Sequence, residues 1–201
     1  MTTYSTLTRL DYEKYLIYLY FGSDPDLLTC INRAYLDLNR TMHGFAKDPN
    51  SRQSHDKAVT LLMTSFESLK ALSAGPITAE VFDNWHKVTC DKIVTLFDNQ
   101  GFHFYIGQAQ KWINMTLKYV FTLGDRRIQG FEFVYPYCHM PLDNILLERL
   151  KQKGFPSLNC AWSRLDNYDE YLERQKWLRQ KFPAAPLDVE FRLWMNEDVE
   201  G

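Results

Sequence analysis

The chain has 201 residues with 45% hydrophobic side chains, which suits a single domain with a full core. A net charge of −2 and a pI near 6.2 argue against a globally basic nucleic-acid binder, and no apolar run approaches the roughly 18 residues of a membrane span. The four cysteines (Cys30, Cys90, Cys138 and Cys160) form no C-x-x-C pair, which argues against a zinc site and reads as free thiols in a reducing compartment.

Residues 7–21 read as a tyrosine-rich helix. Ser23, Asp24 and Pro25 mark the start of the next, with Leu27, Leu28, Ile31, Tyr35, Leu38 and Met42 at helical spacing and Gly44 at its end. A third helix is predicted from about Ser54 to Leu72, with Val59, Leu62, Met63, Phe66 and Leu69 on one face. Thr78 caps a fourth, which buries Val81, Trp85, Val88, Ile93, Leu96 and Phe97 and ends at 98–101. A connector crowded with Phe102, His103, Phe104 and Tyr105 leads into a helix that starts at Gly107 and stops at Gly124.

Residues 125–137 read as irregular, with room for two short strands in 130–135. A helix from Pro141 to about Gln152 follows, then a loop over 155–163, a charged helix from the cap Asp166 to about Phe182, and a short helix over 187–195. The fold class is therefore all-α: one helical domain over 1–201, with lobes at about 1–100 and 101–201 and at most a minor hairpin. The polar N-terminus lacks the pattern of a secretory leader, which predicts a cytoplasmic protein.

Charge is uneven along the chain. Residues 101–182 carry 12 basic and 8 acidic side chains, a weak pointer to a polyanion. Within that segment Lys111 opens a helix and Asp143 opens the next one. Desolvating either charge costs several kcal/mol, on the order of the whole gain from pairing, unless the two meet. A lysine amine is a nucleophile toward an aldehyde or acetal carbon, and a neighbouring carboxylate can relay protons or stabilise oxocarbenium charge. Gly107 frees backbone amides at a helix N-terminus, a place for a phosphate, and Phe104, Trp112 and Trp162 could stack an extruded base. The five histidines show no H-x-x-x-H pairing, so spacing offers no metal site and no cofactor is expected.

The run Lys111, Trp112, Ile113, Asn114, Met115, Thr116, Leu117 and on to Phe121 resembles the second helix of the helix–hairpin–helix DNA glycosylase superfamily. The run His139, Met140, Pro141, Leu142, Asp143, Asn144 resembles that superfamily's next element, where an aspartate opens a helix. The gap of 32 residues between Lys111 and Asp143 is similar to that of the archaeal 8-oxoguanine DNA glycosylase branch. Phe104, Tyr105, Ile106 and Gly107 stand where the family reads Leu-Pro-Gly-x-Gly, and no four-cysteine cluster follows, so no iron–sulfur cluster is implied.

The resemblance implies a glycosylase that excises a damaged or modified base from double-stranded DNA, with Lys111 as nucleophile and Asp143 as the catalytic carboxylate. A base would flip into a pocket at Phe104, Trp112 and Trp162. Gly107, Gln108, Gln110, Arg126 and Arg127 would contact phosphates. The alternative from another class is a non-catalytic helical module that binds nucleic acid or protein, as in phage- or defence-associated proteins of this size. A charged stretch at Asp166–Lys181 reads as a solvated or partner-binding face.

Overall fold

A computed structural model describes residues 6–200. Eight α-helices follow in order: α1 (Arg9–Phe21), α2 (Leu27–Leu38), α3 (Ser51–Ala71), α4 (Ala79–Asp98), α5 (Ile106–Leu123), α6 (Asn144–Lys151), α7 (Tyr168–Lys181) and α8 (Pro186–Trp194). Short 3-10 turns occupy several joints, and the described residues contain no strand. No helix among them is long and apolar enough to cross a membrane.

The axis of the molecule is α5. Fifteen of its 18 residues are buried, so it is covered on every side rather than on one stripe. Helices α2 and α4 both pack against it, and the turn at Trp162–Arg164 lies over its N-terminal end. Close approach of α2 follows from the small side chains Cys30 and Ala34, which sit between Leu27 and Leu38 on its buried face. Gly107 serves the same purpose on α5: a Cβ there would stand 1.7 Å from the carbonyl oxygen of Trp162. Any side chain would push the 162–165 segment away. A continuous cluster of buried side chains runs from Leu27 to Val199 and draws on both predicted lobes.

Helix α1 is different in kind. Thr8 and Asp11 close a capping box at its start, yet none of its residues is buried. Ile17 and Phe21 dock it, while Leu10, Leu16 and Leu19 are more than half exposed. A 13-residue helix is marginal alone, so its attachment at Ile17, Tyr20 and Phe21 holds it in place.

Several expectations need correction. Residues 130–135 form no strand; Glu132–Tyr137 is a 3-10 turn containing Pro136, and Phe131 and Val134 are buried three residues apart, a helical rather than an alternating pattern. Helix α2 ends at Leu38, four residues before Met42, and a 3-10 turn takes over. Val81 and Val88, expected in the core, lie on the outer face of α4. Helix α6 begins at Asn144 with Asp143 as its cap, and Asn167 rather than Asp166 caps α7. Gly107 is the second residue of α5 and lies in no hairpin.

Candidate functional site

Lys111 lies one turn into α5, and its side chain is 4% exposed. Its Nζ donates to Asp143 Oδ2 at 2.6 Å, and that carboxylate is 13% exposed. Asp143 Oδ1 accepts from the Leu146 amide at 2.9 Å, so one carboxylate both caps α6 and pairs with Lys111. The two groups expected from sequence to work together are therefore in direct contact.

The segment carrying Asp143 is held by two buried glutamines. Met140 N–H donates to Gln175 Oε1 and Gln175 Nε2 donates back to Met140 O, both at 2.9 Å. Leu142 N–H donates to Gln110 Oε1 at 3.2 Å, and Gln110 Nε2 donates to Leu142 O at 3.1 Å. Each glutamine thus satisfies the donor and acceptor of one residue, as buried backbone requires. Asn114 Nδ2 donates to Gln110 Oε1 at 3.0 Å and to the Tyr171 hydroxyl at 2.7 Å, which joins this clamp to a deeper polar centre.

That centre contains two neutral histidines. His139 Nε2 donates to Asp83 Oδ1 at 2.8 Å, and its Nδ1 lies 3.0 Å from the Tyr171 hydroxyl. His86 Nε2 donates to Asn114 Oδ1 at 3.1 Å, and its Nδ1 lies 2.9 Å from the Tyr168 hydroxyl. The two rings are 4.5 Å apart. Burial pushes His139 down to about 4, against the pull of Asp83, and pushes His86 well below the usual imidazole value. Burial alone would raise Asp83, but hydrogen bonds from His139 and from both terminal nitrogens of Arg179 hold it well below the usual carboxylate range.

Lys111 and Asp143 line a cleft of about 630 Å³, within the size range of small-molecule sites (about 300–1,000 Å³). Helix α1 supplies Leu16, Ile17, Tyr20 and Phe21; α2 supplies Asp37; α8 supplies Phe191 and Trp194. Met115, Lys118 and Tyr119 continue the α5 face from Lys111. Tyr119 donates to Asp37 Oδ2 at 2.6 Å, and its hydroxyl is 2.9 Å from that of Tyr20. Lys118, two turns beyond Lys111, donates to Glu190 Oε1 at 2.7 Å and lies over the rings of Phe191 and Trp194, at 5.1 and 5.2 Å. Glu190 is fully buried, its Oε2 has no partner among the described residues, and burial raises its pKa while Lys118 opposes the rise.

The other residues singled out from sequence lie elsewhere. Phe104 is buried and stacked on Phe97 at 4.4 Å; Trp112 is buried with its indole N–H donating to Ile31 O at 2.9 Å; Trp162 is buried over Gly107. None of the three faces the cleft. Gly107 N–H donates to Leu165 O at 2.8 Å, Gln108 Nε2 donates to Thr41, and Gln110 is spent on Leu142 and Gly107. The N-terminus of α5 is thus covered by the chain's own backbone and leaves no room for a phosphate. Arg126 and Arg127 are exposed beyond the other end of α5, roughly 27 Å away at 1.5 Å per residue.

Sequence reading missed Tyr20, Asp37, Lys118, Tyr119, Glu190, Phe191 and Trp194. One signal was present for Lys118, since a spacing of seven from Lys111 puts both lysines on one face of a helix. Among the described residues no group of three His, Cys, Asp or Glu side chains could hold a metal ion, and Cys30, Cys90, Cys138 and Cys160 are all free thiols. No family model, curated protein or solved structure matches this chain.

Proposed function

We propose that the protein is a DNA glycosylase that removes a damaged or modified base with Lys111 and Asp143 and carries abasic-site lyase activity. The observation that carries this reading is the 2.6 Å contact between a nearly buried amine and a carboxylate on the wall of an open, aromatic-rimmed cleft. A lysine so placed has few structural reasons to be there, because a buried ion pair contributes little net stability.

In this reading the target nucleotide leaves the duplex and its base enters the cleft beside Tyr20, Phe191 and Trp194. A proton moves from Lys111 Nζ to Asp143, which leaves a neutral amine. The nitrogen lone pair attacks C1′, and the base departs with the electron pair of the glycosidic bond and takes up the proton from Asp143. The carboxylate so regenerated stabilises positive charge at C1′ as that bond breaks. Opening of the sugar ring gives a Schiff base, and loss of a C2′ proton then expels the 3′ phosphate.

Borohydride trapping tests this directly. Labelled duplexes carrying an abasic site, 8-oxoguanine, uracil or a modified cytosine are incubated with the protein and reduced. A covalent adduct is expected with at least one of them and is lost in Lys111→Gln. Base release that requires Asp143 but gives no adduct would make the enzyme monofunctional, with water as nucleophile. Neither adduct nor release would move the assignment to a non-catalytic helical binding module, a reading that the exposed apolar residues of α1 favour.

A further inference from the structure

Tyr20 is a wall with two sides. One faces the Lys111 cleft; the other faces a groove of about 710 Å³ between the end of α1, α2 and the start of α3. The two cavities share only Tyr20, Phe21 and the α1 turn that carries them. The groove is lined by Arg33 from α2 and Arg52 from the first turn of α3, with Tyr35 as an aromatic face between them and Trp112. The Arg33 guanidinium carbon stands 4.0 Å over the Tyr20 ring. Among the described residues neither arginine is in an ion pair with a carboxylate, whereas Asp56, beside the groove, is held 3.5 Å from His55 Nδ1.

The charged linings differ across Tyr20. The groove carries Arg33 and Arg52 and no carboxylate, whereas the cleft sets Lys111 and Lys118 against Asp37 and Asp143. A polyanion is therefore drawn to the groove more than to the cleft, while an uncharged heterocycle suits the balanced cleft. Cationic side chains interleaved with aromatic faces suit a nucleic-acid strand. They also supply what the buried N-terminus of α5 cannot, a place for the backbone.

We propose that this groove is the track of the DNA strand, in which Arg33 and Arg52 bind the phosphates flanking the nucleotide whose base enters the Lys111 cleft, with Tyr20 as the partition. This rests on the glycosylase reading for the identity of the ligand, but its test does not need catalysis. Binding of a fluorescent duplex with a reduced abasic-site analogue is measured by anisotropy across a range of salt concentrations. The proteins are wild type, Arg33→Gln, Arg52→Gln, the double variant, and Lys92→Gln as a control on an exposed face outside the groove.

Each phosphate contact removed lowers the slope of log affinity against log salt by about 0.9, so the double variant loses about 1.8 and Lys92→Gln loses nothing. Arg52 is exposed, so Arg52→Gln keeps the test valid even if loss of the Arg33–Tyr20 contact disturbs α1. A double variant with the wild-type slope, a Lys92→Gln slope that falls as far as Arg52→Gln, or a wild type that does not bind the duplex would each overturn the proposal. Reduced slopes in a protein that forms no borohydride adduct would keep the groove and discard the catalytic reading; adducts with unchanged slopes would do the reverse.

Discussion

Lys111 and Asp143 do not bear equal structural weight. Asp143 has two duties, since its Oδ1 caps α6 and its Oδ2 accepts from Lys111. Replacing it with alanine strands a nearly buried ammonium, which costs about 3–5 kcal/mol, and removes a cap worth about 1 kcal/mol. Replacing Lys111 with methionine fills similar space, leaves the cap intact, and leaves a carboxylate that still reaches solvent. Asp143→Ala is therefore expected to lower the urea midpoint much more than Lys111→Met. Equal losses in the two variants would mean that neither the stranded charge nor the cap dominates. The same asymmetry makes Lys111→Gln the cleaner variant for chemistry, because its effect on trapping is less entangled with folding.

At the scale of elements, the clamp on 139–143 decides whether the pair meets. Gln175 comes from α7 and Gln110 from α5, and each holds both polar groups of one residue in the Asp143 segment. Gln175→Leu would leave the Met140 N–H and C=O buried without partners, at about 1–3 kcal/mol each. The expected outcome is faster amide hydrogen exchange at Met140 and Leu142, together with a fall in the rate of adduct formation while duplex affinity stays the same. Unchanged exchange and rate would show that the segment holds its shape without Gln175.

These clamps also show where sequence reading stops. The helices were legible because the apolar residues of α2, α3 and α4 recur at 3.6-residue spacing, and Thr78 and Gly124 mark ends by local chemistry. The Lys111–Asp143 pair was legible because two charges flanked by apolar residues need each other. The burial of Gln108, Gln110 and Asn114 was not, since their partners Thr41, Leu142, Tyr171 and His86 lie 28 to 67 residues away. An aromatic side chain beside the lysine likewise carries no label for core or cleft. Trp112 turned inward to Ile31, and apart from Tyr119 the cleft took its rings from the two ends of the chain, at Tyr20, Phe21, Phe191 and Trp194.

On the scale of the whole molecule, the buried polar centre makes stability depend on pH. His86 and His139 are neutral in the fold and lie below their unfolded value of about 6.5, so the unfolded chain binds more protons once the pH drops under that value. Their contribution is complete above pH 6.5 and is lost as the pH falls below it, for His139 over the range down to about 4. For His139 alone, a drop from 6.5 to about 4 corresponds to roughly 3 kcal/mol. Asp83, held low by His139 and Arg179, has the same sign and adds its loss below the ordinary carboxylate range. Glu190 has the opposite sign: its raised value favours the fold in acid and weakens it as the pH climbs through that value. A single buried carboxyl softens the acid limb but does not cancel two histidines, so urea denaturation should show stability falling from pH 6.5 to pH 4. His139→Gln keeps a donor for Asp83 and an acceptor for Tyr171 but cannot titrate. It should lower stability at pH 7 and flatten the slope by up to about 1.4 kcal/mol per pH unit, the effect of one proton. A His139→Gln slope as steep as wild type would place the acid sensitivity elsewhere in the molecule.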